Sequence, residues 1–497
     1  MALQTATTVQ DPTEKKTRVP IQLKTRHKDI ELPLDPGAIL VPTSSRRYAL
    51  SRLVNGFLET EQSIPFDFLI NGQFLRTSLD DFLTANGISA EETLNVEYVR
   101  AILPPQYVSS FLHDDWVSSV DVLSATSSAS KYAGDDGIHT GHERILSGSF
   151  DGHIRVWNMS SEITATSPSA ISGGHTNNVK AVKFLSPTRI ISSSLDRTIR
   201  LWKYAPSPSS PSTSTLTPSL ELYGHRSSID SLAFHAPTQR ILSASQDTTI
   251  GVWSTSKSAS PPAPANLLPS ASPSFANKRR KPNAGPQPTS TPQRGPLALL
   301  LGHTANASAV IFAPHDPDLA HSVSHDHTLR TWDLVTQKQV SMTPLPAVLY
   351  SLCALPGLGL LAAGNTARSI SLVDTRSPGS SSSTTSPGSG NLVSMTLRGH
   401  AGAVSSLAAA PEEAVGGPWG LVSAGFDGTC RVWDVRSVRT GQGQPEGGSV
   451  FVVEREGEKG VKKPVAERPK VFGVVWDRDV GIVSGGEDRR VQIDRGM

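Results

Sequence analysis

Short apolar segments alternate with tight polar turns over most of this chain. The stretch from Ile145 to Trp157 shows the unit: a small apolar segment, the turn pair Asp151-Gly152, and an alternating segment that ends at the tryptophan. Glycine accepts the positive φ of a tight turn, so the pattern predicts a two-stranded hairpin. The unit occurs five times with an aspartate six residues before a tryptophan, as Asp151/Trp157, Asp196/Trp202, Asp247/Trp253, Asp326/Trp332 and Asp427/Trp433.

A Gly-His pair stands before four of these hairpins, with its histidine 27 to 33 residues before the tryptophan. Gly-His, two strands, a turn aspartate and a tryptophan together resemble the blades of WD-repeat propellers. The resemblance implies that the histidine, a strand Ser or Thr, the aspartate and the indole N–H form one hydrogen-bonded set. A catalytic dyad would not need four copies, whereas buried indole and imidazole groups need partners, so we interpret these sets as structural. The expected sets are His175/Asp196/Trp202, His225/Asp247/Trp253, His303/Asp326/Trp332 and His400/Asp427/Trp433.

The repeats predict a mainly β protein, with a seven-bladed propeller over residues 102–497. The first blade has Asp115-Trp116 where Gly-His is expected. The fifth has Ala367 and Val373 in the aspartate and tryptophan positions, and the seventh has Asp494 in the tryptophan position. No outermost strand follows the seventh blade, and an uncovered edge would be left. We therefore expect the segment around Tyr107–Phe111 to supply that strand and close the ring.

The residues before the propeller follow a different pattern. Residues 1–17 are polar and are predicted to be disordered. Residues 18–101 then predict strands at Val19–Leu23 and Ile30–Leu34, a helix at Tyr48–Leu58, and strands at Phe66–Ile70 and Phe74-Leu75, followed by a short helix at Leu79–Leu83 and a strand at Leu94–Val99. This order resembles ubiquitin-like α+β domains. Because no diglycine tail follows, we interpret the domain as a built-in docking module.

Four segments interrupt the propeller pattern with Ser, Pro, Gly and Thr. They lie near residues 205–217, 257–297, 377–390 and 438–449, and we predict disordered insertions there. The second contains the basic cluster Lys278, Arg279, Arg280 and Lys281. We interpret it as a nuclear localisation signal, with an incidental charge run or a contact to an RNA backbone as alternatives.

Composition and charge narrow the function class. The formal charge of +2 gives no strong attraction to nucleic acid or to an acidic membrane, and two cysteines fit a reducing compartment. No apolar run has the length of a signal peptide or a membrane span, so we expect a soluble intracellular protein. No nucleophile elbow, phosphate-binding glycine loop or Cys/His metal spacing occurs, so we expect no enzyme and no cofactor of its own.

Several strings resemble the Ytm family of ribosome-biogenesis proteins, the WD-repeat subunit of the pescadillo–Bop complex. They are Val19-Pro-Ile-Gln-Leu, Pro65-Phe-Asp-Phe-Leu-Ile-Asn-Gly, Leu94-Asn-Val-Glu-Tyr, Ala101-Ile-Leu-Pro-Pro and Asp115-Trp-Val-Ser-Ser. The resemblance implies a non-catalytic factor for maturation of the large (60S) ribosomal subunit and its rRNA, in the nucleolus and nucleoplasm. It implies four partners: a Bop-like WD-repeat protein, pescadillo, the midasin AAA ATPase and pre-60S particles.

The same resemblance points to one docking residue. In the family a ligand glutamate follows a Gly-Leu/Ile-Ser-Ser/Ala string, which here is Gly87-Ile-Ser-Ala90, so the role falls on Glu91. This glutamate is expected to complete, in trans, the shell of a Mg²⁺ held by the midasin adhesion site, because Mg²⁺ prefers hard oxygen ligands. The neighbouring Glu92 remains an alternative, and both residues could instead be solvated loop acids.

Two other functions stay open. A Notchless-like assembly factor would use the same docking chemistry at another stage. Trp433-Asp-Val-Arg436 matches the Trp-Asp-x-Arg motif of cullin ubiquitin-ligase receptors, although the motif is common in ordinary blades. The propeller face that binds the Bop-like partner, direct contact with RNA and the role of the insertions are not fixed by the sequence.

Overall fold

The computed structural model describes residues 17–33, 36–58, 63–130, 143–206, 214–268, 291–374, 393–411, 417–436, 446–460 and 463–496. The chain forms two compact units. The first comprises residues 1–102 with 436–438, and the second comprises residues 103–435 with 439–497. Within the described ranges, no helix combines the length and the apolar character that crossing a bilayer requires.

The first unit is a mixed sheet with two helices. Its elements are β1 (Arg18–Lys24), β2 (Ala38–Pro42), α1 (Arg47–Leu58), β3 (Phe66–Ile70), β4 (Gln73–Phe74), α2 (Leu79–Asn86) and β5 (Leu94–Arg100). The strand order is β2-β1-β5-β3-β4, with β1 and β5 parallel and the other pairs antiparallel. Helix α1 buries Leu50 and Val54 in the core. This is the ubiquitin-like arrangement that the sequence predicts.

The second strand differs from its predicted position. We expected it at Ile30–Leu34, but β2 lies at 38–42, and residues 28–30 form a 3-10 turn. Ile30 is 1% exposed, and its carbonyl oxygen accepts a hydrogen bond of 2.8 Å from the hydroxyl of Tyr98. Pro33 and Pro36 have no N–H to donate to a strand ladder. Ile30 is therefore buried at the end of a 3-10 turn and not within a strand.

The second unit contains the remaining strands. They are β6 (Pro105–Leu112), β7 (Val117–Leu123), β8 (Arg144–Ser149), β9 (Ile154–Asn158), β10 (Ile163–Thr166), β11 (Val179–Ser186), β12 (Arg189–Ser194), β13 (Thr198–Ala205), β14 (Thr215–Tyr223), β15 (Ile229–His235), β16 (Arg240–Ser245), β17 (Ile250–Ser254), β18 (Gln293–Arg294), β19 (Ala298–Leu300), β20 (Ala307–Phe312), β21 (Leu319–Ser324), β22 (Thr328–Asp333), β23 (Lys338–Pro344), β24 (Leu349–Leu355), β25 (Leu360–Asn365), β26 (Ser369–Asp374), β27 (Val393–Arg398), β28 (Val404–Ala409), β29 (Gly420–Gly425), β30 (Thr429–Asp434), β31 (Glu446–Gly447), β32 (Phe451–Glu454), β33 (Val471–Asp477), β34 (Gly481–Gly486) and β35 (Arg490–Gly496).

These strands form a β-propeller. In the described residues seven sheets follow one another, which we number as blades 1 to 7 from their innermost strands β7, β11, β15, β20, β24, β28 and β33. Each innermost strand contacts the next one along the chain, and β33 contacts β7. The last blade therefore lies beside the first, and the ring is closed.

Blade 7 contains a strand from the other end of the propeller. Its order is β33-β34-β35-β6, and β6 pairs antiparallel with β35 from Arg490↔Leu112 to Gly496↔Pro105. The prediction that the segment around Tyr107–Phe111 closes the ring is confirmed. Phe111 is 1% exposed and belongs to a core cluster that also contains Val491 and Trp157. The strand thus joins blade 7 to blade 1 by packing as well as by hydrogen bonds.

Two short strands extend blades beyond four strands. β18 pairs parallel with β14 at the edge of blade 2, and β31 pairs parallel with β27 at the edge of blade 5. Strand β18 lies within the insertion predicted at 257–297. There residues 257–268 and 291–297 are described, and Pro262 forms a bridge with Arg294. Both ends of that segment thus carry structure that its Ser/Pro-rich composition did not predict.

Candidate functional site

Helix α2 sets the position of the Glu91 loop. Its first residue is preceded by Ser78, whose Oγ accepts a hydrogen bond of 3.2 Å from the backbone N–H of Asp81, and the carboxylate of Asp81 accepts one from the backbone N–H of Ser78. This capping box satisfies two backbone donors. The hydrogen bonds from Ser78 hold the pKa of Asp81 below its ordinary value. The helix ends at Gly87, whose φ of 64° is in the left-handed region that glycine tolerates.

The loop that follows is anchored on both sides by apolar residues. Ile88 and Ala90 pack on the core of the unit, and Leu94 is 5% exposed at the start of β5. Between them the backbone N–H of Glu91 donates to the Oγ of Ser89 at 3.3 Å. The side chains of Glu91 and Glu92 are both exposed. The sequence thus folds into a short turn that presents two adjacent carboxylates to solvent.

Neither carboxylate forms an ion pair or hydrogen bond with any other residue in the part of the chain that the structure describes. The same part of the chain contains no group of three or more His, Cys, Asp or Glu side chains arranged to hold a metal ion. A solvated carboxylate on a fixed turn can act as one hard-oxygen ligand to a cation that another molecule holds. The geometry of the turn is compatible with this chemistry for either glutamate.

In each of the four predicted blade sets, the side chains form one continuous chain of hydrogen bonds. The histidine Nδ1 lies 2.8 to 3.0 Å from the turn aspartate, its Nε2 lies 2.7 Å from a serine Oγ, and the tryptophan Nε1 donates to the same Oγ at 2.7 to 2.8 Å. The serines, which the sequence pattern did not number, are Ser192, Ser243, Ser322 and Ser423. The other members are His175/Asp196/Trp202, His225/Asp247/Trp253, His303/Asp326/Trp332 and His400/Asp427/Trp433.

The tryptophans of these sets are core residues rather than parts of an accessible site. Trp202, Trp253 and Trp332 are each at most 1% exposed, and each belongs to a hydrophobic core cluster. Trp332 of blade 4 packs in one cluster with Leu242 and Val252 of blade 3. Their burial places them where they hold adjacent blades together, in keeping with the structural role expected from the sequence.

The electrostatics of these sets favour a neutral imidazole beside an ionised aspartate. Burial lowers the pKa of His175 and His303, although the adjacent aspartate opposes this. Burial alone would raise the pKa of Asp196, but hydrogen bonds from His175 and Thr198 hold that pKa below its ordinary value. A neutral imidazole therefore donates from Nδ1 and accepts at Nε2 from the serine O–H, while the serine oxygen accepts from the indole. The protons of the set are committed to internal hydrogen bonds.

Blade 1 has its histidine at a position that the sequence analysis missed. We placed Asp115-Trp116 in the Gly-His position, but His113 occupies it, with Nε2 2.7 Å from the Oγ of Ser147, which also accepts from Trp157 at 2.8 Å. Burial lowers the pKa of His113 to about 4. His113 lies four residues before its innermost strand, as do the four Gly-His histidines. That spacing was a usable signal, and the missing glycine concealed it.

Blades 5 and 7 lack the hydrogen-bonded His-Asp-Trp set. Polar and charged groups take its place in blade 7, and apolar residues take its place in blade 5. In blade 7 the guanidinium of Arg455 contacts the Oγ of Ser484 at 2.7 Å and the carboxylate of Asp488 at 2.7 and 2.8 Å. In blade 5 the tryptophan position is Val373, which packs in an apolar cluster with Leu345. Nothing in the repeat spacing pointed to Arg455, because it follows β32 directly and lies outside the usual Gly-His distance.

An aromatic band lies on the face that carries the turn aspartates. Its members are Trp116, Phe150, Phe472, Phe426, Tyr350 and His325, and successive ring centroids are 5.2 to 6.1 Å apart. Phe150, Phe426 and His325 each precede a turn aspartate, so the band follows the rim from blade 4 through blades 5, 6 and 7 to blade 1. The equivalent residues in blades 2 and 3 are Leu195 and Gln246.

Two lysines accompany this band. Lys180 Nζ lies 5.1 Å from the centroid of Phe150, and Lys470 Nζ lies 6.0 Å from that of Phe426. Trp116 is 36% exposed, and the other rings are half-buried. The rings of Tyr350 and Phe472 also line a central cavity of about 220 Å³. Partly exposed aromatic rings with nearby cations are typical of surfaces that bind other proteins.

The basic cluster Lys278–Lys281 lies outside the described residues, so its role as a localisation signal remains a prediction.

Comparison with known families agrees with both units. The family described as "NLE (NUC135) domain" matches residues 19–83, and the "WD domain, G-beta repeat" family matches residues 106–158, 167–203, 216–254, 294–333 and 392–434. The matches leave out the hairpins of blades 5 and 7, where the tryptophan is replaced. The chain is therefore a WD-repeat protein with an N-terminal NLE domain.

Full-length relatives narrow the class further. The chain is 54% identical over 484 residues to "Ribosome biogenesis protein ytm1" of Aspergillus terreus, covering 96% of both chains. It is also 54% identical to the proteins of that name from Neosartorya fischeri and Ajellomyces capsulatus. These matches cover 96% of this chain, and they cover 95% and 94% of the two relatives, respectively. The chain belongs to the Ytm1 family of ribosome biogenesis proteins.

Proposed function

We propose that this protein is a non-catalytic scaffold for maturation of the large (60S) ribosomal subunit and its rRNA. In this proposal the propeller binds the Bop-like WD-repeat protein of a pescadillo–Bop-type complex. The N-terminal unit docks on the midasin ATPase, whose pull releases the complex from pre-60S particles. Family membership supports a role in ribosome biogenesis. The observation that carries the docking role is the solvated Glu91 carboxylate on its anchored turn.

Glu91 suits the part of a ligand offered in trans. A Mg²⁺ ion requires hard oxygen ligands in near-octahedral geometry, and a carboxylate from a partner can complete a shell that the ATPase holds. The carboxylate would have no internal hydrogen bond or ion pair with the described residues to break on docking. The capped helix α2 and the apolar residues beside the loop keep the turn in place, so little conformational entropy is lost on binding.

Binding of the midasin adhesion domain to the full chain tests this role. Glu91→Ala should lower the affinity at least about tenfold, because it removes a charged metal ligand. Glu91→Asp should also bind more weakly despite its equal charge, since its carboxylate is one methylene shorter. Glu92→Ala is the matched control and should bind like the parent chain. Chelation of Mg²⁺ should abolish the difference between Glu91→Ala and the parent.

Unchanged binding by Glu91→Ala would reject Glu91 as the ligand. If Glu92→Ala alone lost binding, the role would move to Glu92. If all three variants bound equally, docking through a carboxylate in this loop would be wrong.

The aromatic band supports a protein-binding role for the propeller. Aromatic side chains contribute much of the energy at protein interfaces, and Lys180 and Lys470 favour a partner surface with carboxylates. We assign the Bop-like partner to the face that carries this band. Phe426→Ala and Trp116→Ala should each reduce recovery of the Bop-like protein in affinity purification. Leu195→Ala changes the equivalent position of blade 2 and should leave recovery unchanged. The reverse result would move the interface to another part of the ring.

Affinity purification followed by mass spectrometry separates the alternative functions. Pescadillo and the Bop-like protein among the partners would support the present proposal. A Notchless-like factor would recover midasin and pre-60S particles without those two proteins. Cullin adaptors would instead indicate a ubiquitin-ligase receptor. Alanine substitution of Lys278–Lys281 should shift the protein from the nucleus to the cytoplasm if this cluster is the localisation signal.

A further inference from the structure

Blade 5 lacks the tryptophan that fills the gap towards the preceding blade in blades 2, 3 and 4. Trp202 of blade 2 packs in one cluster with Ile154 and Val156 of blade 1, and Trp253 of blade 3 packs in the same way on Ile199 and Leu201 of blade 2. The tryptophan of each of these blades, like that of blade 4, therefore fills the space towards the preceding blade. In blade 5 that position is Val373, which faces Val323 and Leu329 of blade 4.

A cavity of about 450 Å³ lies at this junction. Leu329, Leu361 and Val373 form apolar walls, and His321 and Thr331 are polar groups in the wall from blade 4. The Nδ1 of His321 lies 3.0 Å from the Oγ1 of Thr331, so these two groups satisfy each other. A volume of this size lies in the range of natural binding pockets. We call this space the 4/5 slot.

The mouth of the 4/5 slot opens beside exposed apolar surface. Val340 of β23 lines the slot and is 61% exposed, and Val335 and Met342 of the same blade are 66% and 49% exposed. Blades 2 and 5 have a short fifth strand over their outer edge, whereas the described residues place none beside β23. Exposed apolar side chains next to a pocket are typical of a protein-docking surface rather than a small-molecule site.

The charges that line the 4/5 slot indicate which type of residue is favoured next to a side chain bound in it. Asp316 lines it, and no lysine or arginine does among the described residues. Burial lowers the pKa of His321 to about 4, so its imidazole is neutral at pH 7. The local field therefore favours a cation beside the inserted side chain.

We propose that the 4/5 slot binds a bulky aromatic side chain of a partner protein that is flanked by a basic residue. The aromatic ring takes the place that the tryptophan occupies in other blades, and the basic group lies near Asp316. This interaction goes beyond the docking roles proposed above. It uses neither Glu91 nor the aromatic band, so its test does not depend on them.

Titration of the methyl-labelled full chain with short peptides tests the proposal. N-acetyl-Trp-Arg-amide should produce saturable shifts of the Leu329 and Leu361 methyl signals in the millimolar range. N-acetyl-Ala-Arg-amide should bind at least about tenfold more weakly, because the anchor ring is missing. N-acetyl-Trp-Glu-amide should bind at least about threefold more weakly than the Trp-Arg peptide, because its charge is repelled by the carboxylate of Asp316.

Two variants locate the binding. Val373→Trp supplies an indole in cis and should abolish the shifts while keeping or raising the melting temperature. Asp316→Asn leaves the slot open and should reduce the preference for Arg over Glu in the peptide. No saturable shift up to about 10 mM Trp-Arg peptide, where even weak fragments bind, would overturn the proposal. Equal binding of the Ala and Trp peptides, or unchanged binding by a folded Val373→Trp chain, would overturn it as well. If Val373→Trp does not fold, the peptide comparison and Asp316→Asn still decide.

Discussion

Arg455 donates two hydrogen bonds to the carboxylate of Asp488, from Nε at 2.8 Å and from Nη2 at 2.7 Å. Arg455 follows the outer strand of blade 6, and Asp488 lies in the turn of blade 7. The guanidinium also donates to the Oγ of Ser484 at 2.7 Å. One buried arginine thus contacts the strand serine of blade 7, as a histidine contacts the strand serine within blades 1 to 4 and 6. Its planar fork matches the carboxylate, which a lysine would not.

We predict that Arg455→Ala lowers the free energy of unfolding by about 3–5 kcal/mol, because it leaves the Asp488 carboxylate without its buried partner. Arg455 is 2% exposed and the side chain of Asp488 is 18% exposed, so solvent replaces the lost bonds only in part. Denaturant unfolding followed by tryptophan fluorescence measures the effect. The control is Arg240→Ala, which breaks a half-exposed pair with Asp318 and should cost at most about 1 kcal/mol. Equal losses in the two variants would contradict this account.

Two adjacent residues of the closing strand β6, Phe111 and Leu112, should differ in how much they contribute to stability. Phe111 is 1% exposed and its ring lies 5.5 Å from that of Trp157, whereas Leu112 is 70% exposed. Phe111→Ala should lower the free energy of unfolding by about 3–5 kcal/mol, and Leu112→Ala should change it by less than about 0.5 kcal/mol. Melting curves of the two variants provide the measurement. Similar melting temperatures would mean that β6 is not needed to hold blades 7 and 1 together.

The buried carboxylate of Asp494 should make the stability of the chain depend on pH. Burial raises its pKa to about 6, although a hydrogen bond from Gln492 and the charge of Arg455 oppose the shift. The folded state then holds this proton more tightly than the unfolded state, whose pKa is about 4. The contribution of Asp494 to stability is therefore present below pH 4 and is lost as the pH rises to 6.

Asp494→Asn removes this titration and keeps an oxygen that can accept from Gln492. It should stabilise the chain by about 2 kcal/mol at pH 7.5 and by almost nothing at pH 4. Unfolding midpoints at the two pH values measure the difference. Glu467→Gln, at an exposed acid, should follow the parent profile at both values. A gain of the same size at pH 4 and pH 7.5 would show that titration of Asp494 is not the cause.

The same chemical change should have opposite effects at two glycines of the N-terminal unit. Gly87 has a φ of 64° at the end of α2, and Gly56 lies inside α1 with open space around its Cα. Gly87→Ala should destabilise by about 1 kcal/mol, and Gly56→Ala should stabilise by about 0.5–1 kcal/mol. Amide hydrogen exchange of the two helices measures both effects.

Gly87→Ala should also weaken binding to the midasin adhesion domain while Glu91 is intact, because the turn that carries the carboxylate shifts. Gly56→Ala should bind like the parent chain. If Gly87→Ala bound normally although α2 exchanged faster, the left-handed cap would have no part in presenting Glu91.

The sequence predicts those parts of the fold that local chemistry repeats. The Asp-to-Trp spacing located five hairpins, and the unpaired outer edge of blade 7 pointed to the segment that contains Phe111. Other parts of the fold could not be predicted, because the residue type that the repeat pattern leads one to expect is replaced by another there. His113 has no preceding glycine, and Arg455 reaches its aspartate from outside the repeat.

The surfaces were harder to predict because they depend on long-range geometry. Phe150 and Phe426 occupy equivalent repeat positions, but only the closed ring brings Phe472 between them. The 4/5 slot was missed for a similar reason. The sequence shows Val373 in place of tryptophan, yet whether neighbours collapse into the space is decided by packing. The position of Glu91 came from a family motif, and its role as a ligand remains a prediction.

The pairing of β6 with β35 also sets an order of events during synthesis. The two strands are about 380 residues apart, so at roughly 5–20 residues per second β6 emerges from the ribosome about 20 to 80 seconds before its partner exists. Until then the edge of β6 is available to other strands. The first six blades exist during this time without the β6–β35 pairing that closes the ring. The nascent chain is therefore exposed to aggregation until β35 has been synthesised, because the ring cannot close before that strand exists.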